Sequence, residues 1–89
     1  MSYRVLLHPK AAEFLETSDA PLGERIEDRL RELVSSPKET GRRLKYSPFW
    51  RLRMGDYRAM YEVDEEEKRV IVLFIGHRRE VYDDFSRLL

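Results

Sequence analysis

No cysteine occurs anywhere in the 89 residues. A disulfide framework, a thiolate metal site and a cysteine nucleophile are therefore excluded, and a reducing cytosol is permitted. Glycine is scarce, at four residues, and none of the four belongs to a glycine-rich phosphate loop. Neither histidine has a second His, Asp or Glu at metal-ligand spacing, so no metal is expected, and no cofactor motif is present. No Ser/His/Asp arrangement and no RNA-binding aromatic signature of known spacing can be found. The start of the chain carries no basic segment followed by an apolar run and a cleavage site. No apolar stretch approaches the roughly 18 residues that cross a bilayer. The expectation is a soluble, cytoplasmic protein with no membrane association. Net charge is missing as well, because 17 basic side chains balance 17 acidic ones. Taken alone, that balance argues against a nucleic-acid binder.

The distribution of charge argues the other way. Residues 1 to 40 hold six basic and eight acidic side chains, residues 41 to 58 hold six and one, and residues 59 to 89 hold five and eight. All the positive excess lies in the middle, and local field rather than net charge steers a polyanion. A chain of this length makes one small domain, 1–89, with one modest core.

The middle segment reads as a β-hairpin, Phe49 to Tyr61, with Gly55-Asp56 as a two-residue loop. Glycine in the first loop position is what a type II′ turn needs, since only glycine takes φ > 0 there without strain. The loop sets the register: Met54 faces Tyr57, Arg53 faces Arg58, Leu52 faces Ala59 and Arg51 faces Met60. Alternation then places Arg51, Arg53 and Arg58 on one face, and Trp50, Leu52, Met54, Tyr57, Ala59 and Tyr61 on the other. Like charges directly opposite on paired strands are destabilising, so stability alone does not account for Arg53 across from Arg58. A polyanionic partner does.

Upstream, Tyr3 to His8 alternates as a strand with one buried face, Tyr3, Val5 and Leu7, and Pro9 ends it. Lys10 to Thr17 reads as a short helix. After a break at Ser18 to Pro21, Leu22, Ile26, Leu30, Leu33 and Val34 form the stripe of an amphipathic helix whose charged residues, Arg25 and Arg29 among them, are solvated. Ser35-Ser36-Pro37 stops it, and the short link predicts an αα-hairpin. Lys38 to Ser47 reads as a loop with a short strand near Leu44 to Tyr46. Beyond the hairpin and an acidic turn, Val70 to Ile75 is a continuous branched and aromatic run, the mark of a central strand buried on both faces. Val81 to Leu89 fits a short terminal helix.

The predicted fold is therefore α+β. A small, twisted, mainly antiparallel sheet of order β-α-α-β-β-β carries the N-terminal αα-hairpin on one face and ends in a short C-terminal helix. Leu7, Leu30, Leu33, Leu52, Val72 and Phe74 are expected under the helices. The opposite face, with the arginines, is expected to be open.

Chemistry-bearing residues cluster on that face and at the end of the last strand. Guanidinium is a fixed fork of donors matched to phosphate oxygens, so Arg51, Arg53 and Arg58 read as a phosphate clamp. The plain alternative is a sheet face kept soluble by charge. His77 and Arg78 follow the central strand, and a histidine there is able to transfer a proton near neutral pH. Tyr82 is able to stack on a base or, beside arginines, to donate a proton, or else simply anchors the terminus. His8 reads as structural.

The segment Trp50-Arg51-Leu52-Arg53-Met54-Gly55-Asp56-Tyr57-Arg58-Ala59-Met60-Tyr61-Glu62-Val63 is followed by Gly76-His77-Arg78-Arg79-Glu80-Val81-Tyr82 and preceded by Tyr3-Arg4-Val5 with Pro9. Together they resemble the RelE/ParE superfamily of toxins from type II toxin-antitoxin modules, over nearly the whole chain. In the RelE branch the resemblance implies a ribosome-dependent endoribonuclease that cleaves messenger RNA by attack of the ribose 2′-OH on the adjacent phosphate, inhibiting translation. Carried over by position, Arg51, Arg53 and Arg58 would hold the scissile phosphate, Arg78 would act on the leaving 5′-oxygen, Tyr82 would stack on the cleaved nucleotide, and His77 is an optional acid or base. The implied partners are the ribosome, messenger RNA and a cognate antitoxin whose amphipathic segment wraps the toxin. Two alternatives stay open: a ParE-type inhibitor of DNA gyrase without nuclease activity, and a non-toxic homologue that only binds an antitoxin.

Overall fold

The computed structural model describes residues 2–81, so Tyr82 and all of the expected terminal helix beyond Val81 lie outside the described residues. The chain begins with strand β1, Arg4–Leu7, and turns at His8 into helix α1, Pro9–Thr17. The His8 side chain accepts a hydrogen bond from the Lys10 N–H at 3.3 Å, capping α1, so its role is structural. Asp19 does the same for helix α2, Ala20–Arg31, accepting from the Leu22 N–H at 2.9 Å. A tighter 3-10 turn, Glu32–Val34, finishes that helix.

Residues 37 to 47 differ from the expected loop. Pro37, pre-set for a first helical turn, opens the one-turn helix α3, Pro37–Thr40, and the short strand β2 is Arg42–Arg43 rather than Leu44 to Tyr46. The hairpin strands follow as β3, Phe49–Met54, and β4, Tyr57–Asp64. Strand β5, Arg69–His77, completes a five-stranded sheet of order β1-β5-β4-β3-β2. Strand β5 is therefore interior, as its unbroken apolar run demands, and its pairing with β1 is the one parallel ladder among the described strands.

The hairpin register holds pair by pair: Met54 with Tyr57, Arg53 with Arg58, Leu52 with Ala59 and Arg51 with Met60. Gly55 has φ 66°, and it is the sole loop residue with positive φ, as a type II′ turn requires. Helices α1 and α2 cover one face, α1 packing mainly on β5 and α2 on β3. The main core there joins Ala11, Ile26, Leu30 and Leu33 to Leu52, Met54, Ala59, Tyr61, Val70, Val72 and Ile75.

Three expectations about burial are overturned. Leu7 is 37% exposed, because β1 is an edge strand and an open cleft separates it from Leu15 of α1 and Leu30 of α2. Phe74 does not join the helix-side core. Met60 pairs with Phe74 but Tyr61 pairs with Val72, so Leu73 is an extra residue, a β-bulge. The bulge reverses the alternation of β5, sending Phe74 to one face while Val72 and Ile75 both point to the other. Finally, the face opposite the helices is not open. Met60, Phe74 and Val81 form a second apolar cluster there, with Leu44, Phe49 and Leu73 packed against it.

Candidate functional site

The hairpin places Arg51, Arg53 and Arg58 on the face away from the helices, and the pairing of β2 with β3 adds a residue to that row. Arg42 lies directly opposite Arg51, as Arg53 lies opposite Arg58. Two like-charged cross-strand pairs thus stand next to each other at the β3 margin of the sheet.

These arginines are in different situations. Arg53 is exposed. Arg58 is only 9% exposed, and its Nη1 donates to the Gly55 carbonyl at 2.6 Å and the Tyr57 carbonyl at 2.8 Å. It braces the hairpin turn from beneath. Both acceptors are neutral carbonyls, which leave the charge of Arg58 to add to the positive potential of that face. Arg78 is exposed just past β5, and its backbone N–H donates to the Asp56 carbonyl at 2.8 Å, which fixes it beside the same turn.

His77 goes elsewhere. Because of the bulge at Leu73 it shares a face with Ile75 and Val72, and its ring meets Tyr57 edge-on at 5.6 Å. It lines a cleft with Phe14, Ser18 and Leu22 on the helix side of the sheet, away from the arginine row. Its Nδ1 accepts from the Arg79 N–H at 3.3 Å. The structure therefore does not bring His77 together with Arg51 and Arg53. Tyr82 is outside the described residues.

Three basic residues that the sequence reading passed over belong with the row. Arg29 on α2 donates from Nε and Nη2 to the Arg53 carbonyl, at 3.4 and 3.2 Å, and ion-pairs with Glu32 at 2.6 Å. It thereby satisfies a carbonyl on the margin of β3 and docks α2 there. Arg25, one turn earlier, lies with Arg29, Arg53 and Gly55 along one cleft of about 220 Å³. A second cleft, of about 340 Å³, is lined by Arg29, Thr40, Gly41, Arg42, Arg51 and Arg53. No acidic side chain lines either one among the described residues. The i, i+4 spacing of Arg25 and Arg29 beside the apolar stripe was the available signal, since that spacing stacks two side chains on one helix face.

Two acidic residues are engaged away from this margin, at the turn between β4 and β5. Asp64 pairs with Arg69 at 2.9 Å, and Glu65 with Lys38 at 2.7 Å and Lys68 at 3.0 Å. Hydrogen bonds from Lys38, Lys68 and Tyr3 hold the Glu65 carboxyl down at about 2. Tyr61, the buried phenol nearest the row, is unsuited to proton transfer near neutral pH, because burial pushes it up to about 12 and its Oη donates to the Pro37 carbonyl at 2.6 Å. Among the described residues no cluster of His, Cys, Asp or Glu is arranged to hold a metal ion, and no helix is long and apolar enough to cross a membrane.

The arrangement presents permanently charged donors whose geometry suits an anion. The family model described as the ParE toxin of the type II toxin-antitoxin system parDE matches residues 5–82. A chain from the RelBE2 toxin-antitoxin complex of Mycobacterium tuberculosis shares the fold with a TM-score of 0.78 and 23% identity, over 88% of this chain and 100% of that one. A mutant Escherichia coli RelE toxin in the free state gives 0.77 and 26%, over 100% of both chains. A chain of the archaeal RelE-RelB complex from Pyrococcus horikoshii OT3 gives 0.74 and 25%, over 88% of this chain and 97% of that one. No curated protein matches the chain. With the family model spanning almost all of the described fold, the chain belongs to the ParE toxin family, within the RelE/ParE superfamily of type II toxin-antitoxin systems.

Proposed function

We propose that this toxin is a ribosome-dependent endoribonuclease that cuts messenger RNA by attack of a ribose 2′-OH on the adjacent phosphate, and that a cognate antitoxin with an amphipathic segment restrains it in the cytoplasm. The observation that carries the reading is the row of arginines at the β3 margin, where Arg42 faces Arg51 and Arg53 faces Arg58 across paired strands. In this reading Arg51 and Arg53 hold the scissile phosphate, with the buried charge of Arg58 behind them. Arg78, tied to the hairpin turn, stabilises charge on the departing 5′-oxygen, and Tyr82 orients the cleaved nucleotide. The chemistry is mainly electrostatic: pre-placed cations stabilise the extra negative charge of the pentacoordinate phosphorus as the 2′-oxygen bonds to it and the 5′-oxygen leaves. His77 has no part in it, given its position on the helix side.

The test adds purified toxin to ribosomes translating a defined message and maps the new 5′ ends. Cuts within the codon at the decoding site are expected, falling about 100- to 1,000-fold in Arg53→Ala or Arg78→Ala, the usual loss for one transition-state donor. Intact message would abandon the reading.

One observation favours a second reading. The matching family model is that of ParE toxins, and the buried phenol of Tyr61, raised to about 12, offers the row no proton near neutral pH. A gyrase inhibitor needs binding but no proton transfer. Inhibition of gyrase supercoiling by a toxin that leaves message intact would establish it.

A further inference from the structure

The arginines at the β3 margin outnumber those a single phosphate requires. Arg25 and Arg29 approach from α2, Arg51 and Arg53 stand two residues apart on β3, and Arg42 faces Arg51 from β2. Arg29 and Arg53 line both clefts, so the two are continuous from the Gly55 turn to Gly41. Residues two apart on a strand are about 6.8 Å apart along it, a step comparable to that between successive phosphates of an extended strand. Arg29 also occupies the Arg53 carbonyl, which keeps this stretch of β3 from accepting another β-strand.

Past Arg51 the margin leads back to Phe49 and the loop that joins β2 to β3. There Tyr46 holds a left-handed backbone, φ 61°, and its side chain is 95% exposed. Left-handed backbone is unfavourable for a tyrosine, and the ring gains no core burial in return. The loop is nonetheless well tied: the Leu44 N–H donates to the Phe49 carbonyl at 2.8 Å, Arg43 Nε to the Ser47 carbonyl at 2.9 Å, and the Phe49 N–H to Ser47 Oγ at 3.2 Å. Lys45 Nζ lies 5.4 Å from the ring centroid. A flat aromatic surface is thus presented to solvent by an ordered, basic loop at the end of an arginine row.

We propose that the β3 margin is a track for the single-stranded RNA flanking the cut, its phosphates held by Arg25, Arg42, Arg51 and Arg53 and one of its bases stacked on Tyr46. The inference rests on the RNA-cleaving reading above. A basic groove with an exposed aromatic is the combination by which proteins hold single strands without reading sequence. The two parts differ in physics, since phosphate contacts release counterions and stacking does not.

The test measures binding of the intact toxin to a 2′-O-methyl RNA hexanucleotide, which lacks the attacking hydroxyl, by fluorescence anisotropy across a salt series. Arg42→Gln and Arg25→Gln should each flatten the dependence of log K on log salt by about 0.7, the value for one single-strand phosphate contact. Tyr46→Ala should weaken binding about five- to a hundred-fold and leave that slope unchanged. Arg31→Gln, at a residue paired with Asp28 away from the row, is the control and should match wild type. Wild-type slopes in both arginine variants, with wild-type affinity in Tyr46→Ala, would overturn the track. So would an octaglutamate peptide that competes as well as the RNA, which would assign the row to an acidic protein segment. Ribosomal cleavage assayed in parallel separates the two ideas. Message cut by wild type and spared by Arg53→Ala, with hexanucleotide binding indifferent to Arg25, Arg42 and Tyr46, sinks the track alone. Uncut message with the expected binding profile sinks the nuclease and leaves the track standing.

Discussion

Gly41 shows how one residue is held by space rather than by backbone freedom. Its φ of −104° and ψ of −171° suit any residue. A Cβ there, however, would lie 1.9 Å from Tyr61 Oη and 2.8 Å from the Arg51 carbonyl oxygen. Tyr61 is fully buried and fixed by its bond to Pro37, so it has nowhere to go. Gly41→Ala should therefore cost about 1–3 kcal/mol, the usual range for overpacking, read as a lower urea midpoint. The double variant with Tyr61→Phe should lose less than the sum of the singles, because the closest contact is gone. Tyr61 also makes an alkaline prediction. Its phenol is raised from 10.0 to about 12, so the fold favours the protonated form. That contribution is complete below the unfolded value near 10 and is lost as pH rises through 12. Alkaline unfolding should be less steep in Tyr61→Phe.

Among the elements, the β3-β4 hairpin is the one whose local chemistry and tertiary role coincide. Gly55 supplies φ 66°, Arg58 ties down the Gly55 and Tyr57 carbonyls, and Arg25 Nη2 would be 3.4 Å from a Cβ at Gly55. Gly55→Ala should destabilise by about 1–2 kcal/mol through left-handed strain. The same change should slow cleavage as well, since it shifts the turn to which Arg78 is bonded; unchanged cleavage in a destabilised variant would separate Arg78 from the site. The hairpin register was legible because a two-residue loop leaves no freedom in pairing. The face of His77 was not legible. It depends on the bulge at Leu73, where a run of uniformly apolar residues hides the extra one from any reading of alternation.

For the whole molecule, a net charge of zero conceals a separation. The acidic turn that joins β4 to β5 is at the other end of β4 from the Gly55 turn. There Glu65 gathers Lys38 from α3, Lys68 from its own turn and the Tyr3 hydroxyl from the chain start, at 2.7, 3.0 and 3.0 Å. The depressed Glu65 carboxyl contributes stability that is present above its ordinary value of 4.5 and is lost as pH falls through about 2. Acid unfolding in that window should be shallower in Glu65→Gln. High salt should also weaken the contribution, because the group is exposed and screened. Asp64 and Glu65 are thus engaged at this end, while arginines gather at the β3 margin.

The two N-terminal helices, the interior placement of β5, the hairpin register and the shared face of Arg51, Arg53 and Arg58 were determined by the sequence alone. Each follows from a local rule: an apolar period, a proline, a two-residue turn. Other features arise only when distant segments meet. The second apolar cluster needs Val81 over Met60 and Phe74. The burial of Arg58 needs the folded turn above it. The arginine row needs α2, β2 and β3 side by side, so Arg25, Arg29 and Arg42, which read as solvated helix and loop residues, become part of one surface. Local periodicity reports which way a side chain leaves its own strand or helix, while only tertiary packing decides what it faces.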